Sequence, residues 1–83
     1  MILYDNQVLD MLHAGFDTVP AMTYHMLGIP PTQPSKMAEP MRREYDRISQ
    51  QLTYKLRKLE RWHEAEIVGE QVKGVPNKWR ALV

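Results

Sequence analysis

The chain has 83 residues, of which 43% are hydrophobic and 25% charged, and its formal net charge is +1. This length fits a single domain spanning residues 1–83, because domains typically run to about 100–150 residues, and the apolar content argues against intrinsic disorder. The sequence has no cysteine, which excludes a disulfide framework, a thiolate zinc site and a catalytic thiol, and which makes the cytoplasm the expected location.

Charge is distributed unevenly along the chain. Residues 1–34 contain three aspartates and no lysine or arginine, a charge of −3, whereas residues 35–83 contain all 11 basic residues and seven acids, a charge of +4. The basic portion suggests a polyanion as the partner of one face, but charge alone favours a solvated, charged helix. Every apolar run falls short of the about 20 residues that a membrane span requires, and the N-terminus lacks the basic start of a signal peptide, so no membrane partner is expected.

Two short helices are predicted first. One spans residues 5–14, with Asp5 as its N-cap and Gly15 in the left-handed position after its end. The other spans residues 20–27, with Pro20 in its first turn and Gly28 at its end. Apolar side chains of these two segments are expected to face the core, namely Val8, Leu9, Leu12, Phe16, Met22, Met26 and Leu27.

A proline-rich connector and a long third helix follow. Residues 30–38 are predicted as the connector, since prolines lack an N–H donor and push the preceding residue into an extended conformation. The helix is predicted to begin at Glu39 or Pro40 and to end at His63. At about 36 Å it is long for this domain, so a break near residues 45–47 is an alternative to one continuous helix. Its apolar stripe covers about 120° of arc and consists of Met41, Tyr45, Ile48, Leu52, Leu56, Leu59 and Trp62.

After Glu64 the pattern changes to strand-forming residues. A hairpin is predicted over residues 66–83, with strands at 67–73 and 78–83. Pro76 and Asn77 suit the middle of its turn, which would place Lys73 and Lys78 beside the tip. Residues 1–4 are a candidate third strand, because two strands alone are only marginally stable.

Three segments carry a family resemblance. Leu52–Trp62 followed by Ala65–Val68 shows a Leu-x-x-Leu pattern running into a hydrophobic strand, Lys73–Arg80 is a basic turn with an aromatic return strand, and Val19–Ile29 ends in Leu-Gly and an aliphatic residue. These segments resemble the recognition helix, wing and second helix of winged helix-turn-helix DNA-binding proteins, in the branch that includes PadR-like and MarR-like regulators. The resemblance implies an α+β fold of three helices plus a C-terminal wing. The connection between the second and third helices is longer than in compact members of the superfamily.

The residues expected to contact double-stranded DNA lie on the third helix and the wing. A helix fits the major groove, where glutamine suits adenine, arginine suits guanine, and threonine or tyrosine suits a phosphate or a thymine methyl group. Basic residues of the wing would neutralise phosphates or enter the minor groove. The alternative for the helix residues is a solvated face. The candidates are Arg43, Arg47, Gln50, Gln51, Thr53, Tyr54 and Arg57 on the helix, and Lys73, Lys78 and Arg80 on the wing.

Other classes of site find no support in the sequence. His13, His25 and His63 do not have the spacing of a metal motif, the four glycines form no phosphate loop, and no serine has the pattern of a catalytic triad. We therefore expect no metal, cofactor, small-molecule substrate or enzymatic activity. Trp62 and Trp79 are expected to pack against each other rather than to stack on bases.

The sequence leaves two alternative functions and predicts a homodimer. The first function is sequence-specific DNA binding by a small transcriptional regulator. The alternative is a winged-helix module that binds protein, as an adaptor or an inhibitor of a larger complex, since the net charge is near zero and the wing strands also carry Glu66 and Glu70. A homodimer would double the DNA site, and its expected surface is the apolar strip Ile2, Leu3, Val8, Leu9 and Met11.

Overall fold

Three α-helices followed by a two-stranded antiparallel hairpin form an α+β fold, which agrees with the predicted element order and is compatible with a winged-helix layout. The structure is a computed structural model, and it describes residues 3–83. The elements are α1 (Asp5–His13), α2 (Val19–Leu27), a short 3-10 turn (Pro34–Lys36), α3 (Met41–Arg61), β1 (Ala65–Val68) and β2 (Lys78–Ala81).

The helix α3 is the central element of the core. Its 21 residues are continuous, so the alternative of a break near residues 45–47 is wrong. The stripe is confirmed over Tyr45, Ile48, Leu52, Leu56 and Leu59, which are all buried. The prediction is wrong at both ends, because Met41 is exposed at the first turn and Trp62, just after the last turn, exposes 70% of its surface. Met41 and Trp62 lie at the two ends of the stripe and are not part of the core cluster.

Local signals explain where α1 and α2 begin and end. The N-cap of α1 is Tyr4 rather than Asp5, and the Tyr4 N–H donates to Oε1 of Gln7 at 2.8 Å. Thr18 caps α2 by accepting a hydrogen bond from the Ala21 N–H at 3.2 Å. Gly28 ends α2, as predicted, and its φ of 69° is in the left-handed region, which a residue with a Cβ adopts only with strain. Gly15, after α1, has the positive φ predicted for it, 98°.

An ion-pair cluster fastens the start of α1 to α3. Asp5 is not the N-cap but lies in the first turn of α1. Its carboxylate is 3.0 Å from Nζ of Lys58 and 3.1 Å from Nζ of Lys55. Hydrogen bonds from Lys58 and Lys55 lower the pKa of Asp5 below its ordinary value. The cluster therefore joins two segments that are about fifty residues apart in the chain.

The hairpin is shorter, and its connecting loop longer, than predicted. Ala65 pairs with Ala81 and Val68 with Lys78, which leaves residues 69–77 as a loop. Its hydrogen-bonded turn runs from the Val72 carbonyl to the Val75 N–H at 3.1 Å, so Lys73 and Gly74 occupy the turn, and the placement of Pro76 and Asn77 there is wrong. Gly74 has a φ of 84°, a left-handed conformation that glycine adopts without strain, and this favours the turn at Lys73 and Gly74.

The connector between α1 and α2 lies along the outer edge of β2. The Trp79 N–H donates to the Asp17 carbonyl at 2.7 Å. The predicted third strand at residues 1–4 is not found in the described part, where Leu3 and Tyr4 precede α1 without strand structure; Met1 and Ile2 lie outside the described residues. The single Trp79–Asp17 bond instead anchors the hairpin to the helices.

The apolar strip predicted as a dimer surface is part of the core. Leu3, Val8 and Met11 are buried, Leu9 is half-buried against the core, and Ile2 lies outside the described residues. These side chains pack on the α3 stripe because α1 lies across α3 and β2. The prediction that this strip forms a free dimer interface is therefore wrong. The expected packing of Trp62 on Trp79 is wrong as well, since Trp79 is 5% exposed and Trp62 is 70% exposed.

Candidate functional site

The outward face of α3 carries seven of the ten residues predicted to contact DNA. Six of them are exposed, whereas Gln51 is half-buried on the flank. Tyr54 exposes 67% of its surface. The helix α3 is amphipathic. Its apolar side chains lie in the core, and polar side chains occupy the outward face. The predicted division of α3 into a buried and an outward face is confirmed at Gln50 and Arg57, which are both exposed opposite Leu52 and Leu56.

The arginines of this face are engaged in exposed ion pairs. Arg43 pairs with Glu39 at 3.4 Å, and Arg47 with Glu44 at 2.6 Å. Arg57 pairs with Glu60 at 3.1 Å, and on the hairpin Arg80 pairs with Glu66. Exposed pairs of this kind contribute about 0–1 kcal/mol each. An incoming phosphate would compete with these carboxylates for the guanidinium groups at low cost. The pairs nevertheless lower the positive potential of the face below what a count of arginines suggests.

A cleft joins α3 to the hairpin loop of residues 69–77, the wing loop. Thr53 and Arg57 on α3, Pro76 and Asn77 in the loop, and Trp79 on β2 line a cleft of about 130 Å³, which Val19 closes at the start of α2. The Arg57 guanidinium lies 5.5 Å from the centre of the Trp79 ring, within the range of a cation–π interaction. Glu60 and Trp79 together hold the Arg57 side chain at the mouth of this cleft. The outward face of α3 and the wing loop thus form one surface.

The wing adds positive charge that has no ion-pair partner in the described chain. Lys73 lies in the turn of the loop and Lys78 begins β2, and both are exposed. Within residues 3–83, neither ammonium group is in an ion pair, and the same is true of Arg61 near the end of α3. Glu64 and Glu70 are likewise in no ion pair within residues 3–83, so the unpaired cations exceed the unpaired acids at this end by one.

The centre of the α3 face has side chains available for new hydrogen bonds. Ser49, Gln50, Thr53 and Tyr54 line a shallow, open depression. The Thr53 hydroxyl donates to the Ser49 carbonyl at 2.9 Å, and the Ser49 hydroxyl is 3.0 Å from the Thr23 hydroxyl. By contrast, the side chains of Gln50 and Tyr54 make no hydrogen bond to any of residues 3–83.

The predicted contacts do not all lie close together. Arg43 and Arg57 are separated by 14 residues along a straight helix, which corresponds to about 21 Å. A major groove about 12 Å wide accepts only part of such a helix. Thr53 and Arg57 line the cleft beside the wing loop, and Gln50 and Tyr54 share a depression with Thr53. Arg43 lies at the end of α3 that follows the proline-rich connector. The structure therefore groups the central residues with the wing and leaves Arg43 apart.

Metal-ligating clusters and shifted pKa values are not found on the outward face of α3 in the described part of the chain. Among the described residues no group of three histidine, cysteine or acidic side chains could hold a metal ion. The pKa shifts fall elsewhere, at Asp5 in its lysine cluster and at Tyr45, whose pKa is raised chiefly by burial. Of the histidines, His13 hydrogen-bonds to the Val83 carbonyl at 2.7 Å and His25 stacks on Phe16.

No protein-family model, curated protein or solved structure matches this chain. None of the helices in the described part is both long enough and apolar enough to cross a membrane.

Sequence reasoning missed the ion pairs and the cleft. The pairs were recoverable from spacing, because Glu39 and Arg43 are four residues apart and Glu44 and Arg47 are three apart, the separations at which side chains on a helix meet. The cleft had no such signal, since it depends on the path of the loop.

Proposed function

We propose that this protein is a small winged-helix transcriptional regulator that binds double-stranded DNA in a sequence-specific manner, without enzymatic activity. One observation carries the proposal: the exposed polar face of α3 continues, through the cleft at Thr53 and Arg57, into a wing loop whose lysines have no carboxylate partner in the described chain. A rigid outward-facing helix beside a basic loop is the geometry with which a duplex is read in one groove and held along its backbone. A cytoplasmic location belongs to the proposal and rests on the cysteine-free composition.

The central part of α3 would read bases. Gln50 and Tyr54 have side-chain groups without hydrogen-bond partners in the described chain, and both are exposed and line the depression that also contains Thr53. The Gln50 amide can both donate to and accept from an adenine edge, and the Tyr54 ring can contact a thymine methyl group. Arg57 is held by Glu60 and Trp79 at the cleft, so we assign it to a backbone phosphate rather than to guanine.

The wing would position the duplex. Lys73, Lys78 and Arg80 are all exposed. Each phosphate that they neutralise would release about 0.9 counterion, so the affinity for DNA would fall as the salt concentration rises. Arg80 contributes less than the lysines, because it must first leave Glu66. A homodimer remains a prediction to which the structure assigns no surface.

Two observations favour a protein partner instead. All four arginines predicted to contact DNA are paired with carboxylates on their own chain. In addition, Tyr54 is an exposed aromatic side chain of the type enriched in protein interfaces. The same surface would then act in an adaptor or an inhibitor of a larger complex.

Fluorescence anisotropy on labelled duplexes at several salt concentrations separates these functions. The double substitution Lys73→Ala with Lys78→Ala should weaken binding to every duplex. It should also reduce the slope of log K against log salt concentration by up to about 2 units, since each phosphate contact contributes about one. Gln50→Ala should instead cost about 1–3 kcal/mol on the preferred site and relax discrimination at one or two base pairs.

Lys36→Ala is the matched control for the wing lysines. Lys36 is an exposed lysine in the short turn before α3, at the end of the helix away from the wing. The loss of its charge should leave the slope within about 0.3 units of the wild type, because it makes no phosphate contact in the proposed complex. Wild-type affinity weaker than about 10 µM at low salt would refute DNA binding and leave the protein-interaction module.

A further inference from the structure

The depression at the centre of the α3 face is apolar, although the residues that line it are of polar types. They are Ser49, Gln50, Thr53 and Tyr54, and most of the surface that they present in the depression belongs to carbon atoms. None of these four side chains carries a charge. The depression therefore differs from the parts of the same helix where arginines pair with glutamates.

Two hydroxyl groups at the depression are already engaged within the protein, which explains its apolar surface. The Thr53 hydroxyl donates to the Ser49 carbonyl at 2.9 Å, and the Ser49 hydroxyl lies 3.0 Å from the hydroxyl of the buried Thr23 in α2. A β-branched side chain has few rotamers, so the first of these bonds fixes the Thr53 side chain and leaves its γ-methyl group for contact with an occupant. The aromatic ring of Tyr54, which is 67% exposed, supplies further carbon surface.

A free amide lies beside this carbon surface. The side chain of Gln50 makes no hydrogen bond to any of residues 3–83. Gln50 and Tyr54 are four residues apart on α3, and side chains at this separation are neighbours on one face of a helix. In the major groove, an A·T pair presents a similar combination, since thymine carries a 5-methyl group and adenine offers a donor and an acceptor that suit glutamine.

We propose that this depression binds the 5-methyl group of a pyrimidine in the major groove, which is thymine in unmodified DNA and 5-methylcytosine in methylated DNA. The inference rests on the proposed function and deepens it by naming the chemical group that α3 recognises. The methyl group would contact the Tyr54 ring and the γ-methyl group of Thr53. DNA is favoured over an aliphatic side chain of a partner protein because Thr53 also lines the cleft beside the wing loop, where Lys73 is in no ion pair within residues 3–83.

Uracil and thymine differ only by this methyl group, so their comparison tests the proposal. Fluorescence anisotropy would use a duplex that the wild type selects from a random pool, with its thymines replaced by uracil one at a time. Replacement of the thymine at the depression should weaken binding about four-fold, the effect of losing one buried methyl group. At the same position, a duplex with 5-methylcytosine should bind about four-fold more tightly than one with cytosine.

Substitutions of Tyr54 assign the effect to the depression. Tyr54→Ala should reduce the difference between thymine and uracil to less than about 1.5-fold, because the methyl group loses its main contact. Tyr54→Phe should keep the four-fold difference, since the ring and not the hydroxyl makes the contact. Trp62→Ala is the matched control, because Trp62 is an exposed aromatic residue just after α3 that does not line the depression. It should leave the difference unchanged.

The outcomes separate this inference from the proposed function. Equal affinity for thymine and uracil at every position, or a selected motif without thymine, would overturn methyl recognition and leave DNA binding intact. A difference that persists at full size in Tyr54→Ala would also overturn it. A wild type that binds no duplex would overturn the proposed function and this inference together.

Discussion

The cluster of Asp5 with Lys55 and Lys58 should make stability depend on pH in a defined direction. Its carboxylate is about one-third exposed and lies 3.0 Å and 3.1 Å from the two ammonium groups. An exposed pair contributes about 0–1 kcal/mol. The second lysine adds less than the first, because the two cations repel each other. An acid in the first turn of a helix adds about 0.3–1 kcal/mol, so Asp5→Asn should lower the free energy of unfolding at pH 7 by about 1–2 kcal/mol.

The pH dependence follows from the lowered pKa of Asp5. The carboxylate is more acidic in the folded chain than in the unfolded chain, so its contribution is fully present above the unfolded value near 3.8 and is lost as the pH falls through the folded value. Urea denaturation of the wild type and Asp5→Asn at pH 7, 5, 4 and 3 should show a constant difference down to about pH 5 and a shrinking one below about pH 4.

Asp10→Asn is the matched control for Asp5→Asn. Asp10 is an exposed residue of the same helix that is in no ion pair within residues 3–83. Its substitution should change stability by less than about 0.5 kcal/mol at every pH. A difference for Asp5→Asn that is equally large at pH 7 and pH 3, or that matches Asp10→Asn, would refute the assignment.

Four further substitutions test the packing and the end of α2 by urea denaturation at pH 7. Leu56→Ala removes a fully buried side chain of the α3 stripe and should cost about 2–5 kcal/mol, whereas a cost below about 1 kcal/mol would mean that the faces of α3 are reversed. Trp79→Ala should cost about 3–5 kcal/mol and Trp62→Ala less than about 0.5 kcal/mol, because only Trp79 is buried; similar costs would contradict the assigned burial. Gly28→Ala places a Cβ at a φ of 69° and should cost about 1 kcal/mol, and an unchanged or increased stability would show that the left-handed cap is not required.

The helix α3 was the most predictable element, and the reason is its amphipathicity. Five apolar residues at helical spacing, from Tyr45 to Leu59, fixed both its buried face and the outward direction of Gln50 and Arg57. The ends of the stripe failed because periodicity gives the direction of a side chain and not the length of the neighbouring elements. Met41 and Trp62 lie at the two ends of the same stripe but are not part of the core cluster.

The wing and the dimer strip were less predictable because they depend on contacts between distant residues. Pro76 and Asn77 have turn propensity, but the Trp79–Asp17 bond and the pairing of Val68 with Lys78 fix where β2 begins. The turn therefore falls at Lys73 and Gly74. The strip around Val8 and Met11 has the composition of an interface and equally that of a core, and only the packing of α1 on α3 decides between them.

The candidate site was predictable in outline only. The outward residues of α3 and the wing lysines followed from periodicity and the hairpin pattern. The position of Arg57 over the ring of Trp79 did not, because this contact joins α3 to a strand more than twenty residues away.

Selection of bound duplexes from a random-sequence DNA pool, performed in parallel with the wild type and Gln50→Ala, tests the central claim most directly. The wild type should enrich one short motif, and Gln50→Ala should enrich the same motif with one or two positions relaxed, since one side chain reads one or two base edges. A wild-type pool that stays random after several rounds, or an identical motif for both proteins, would contradict the assignment of the central α3 face to base reading.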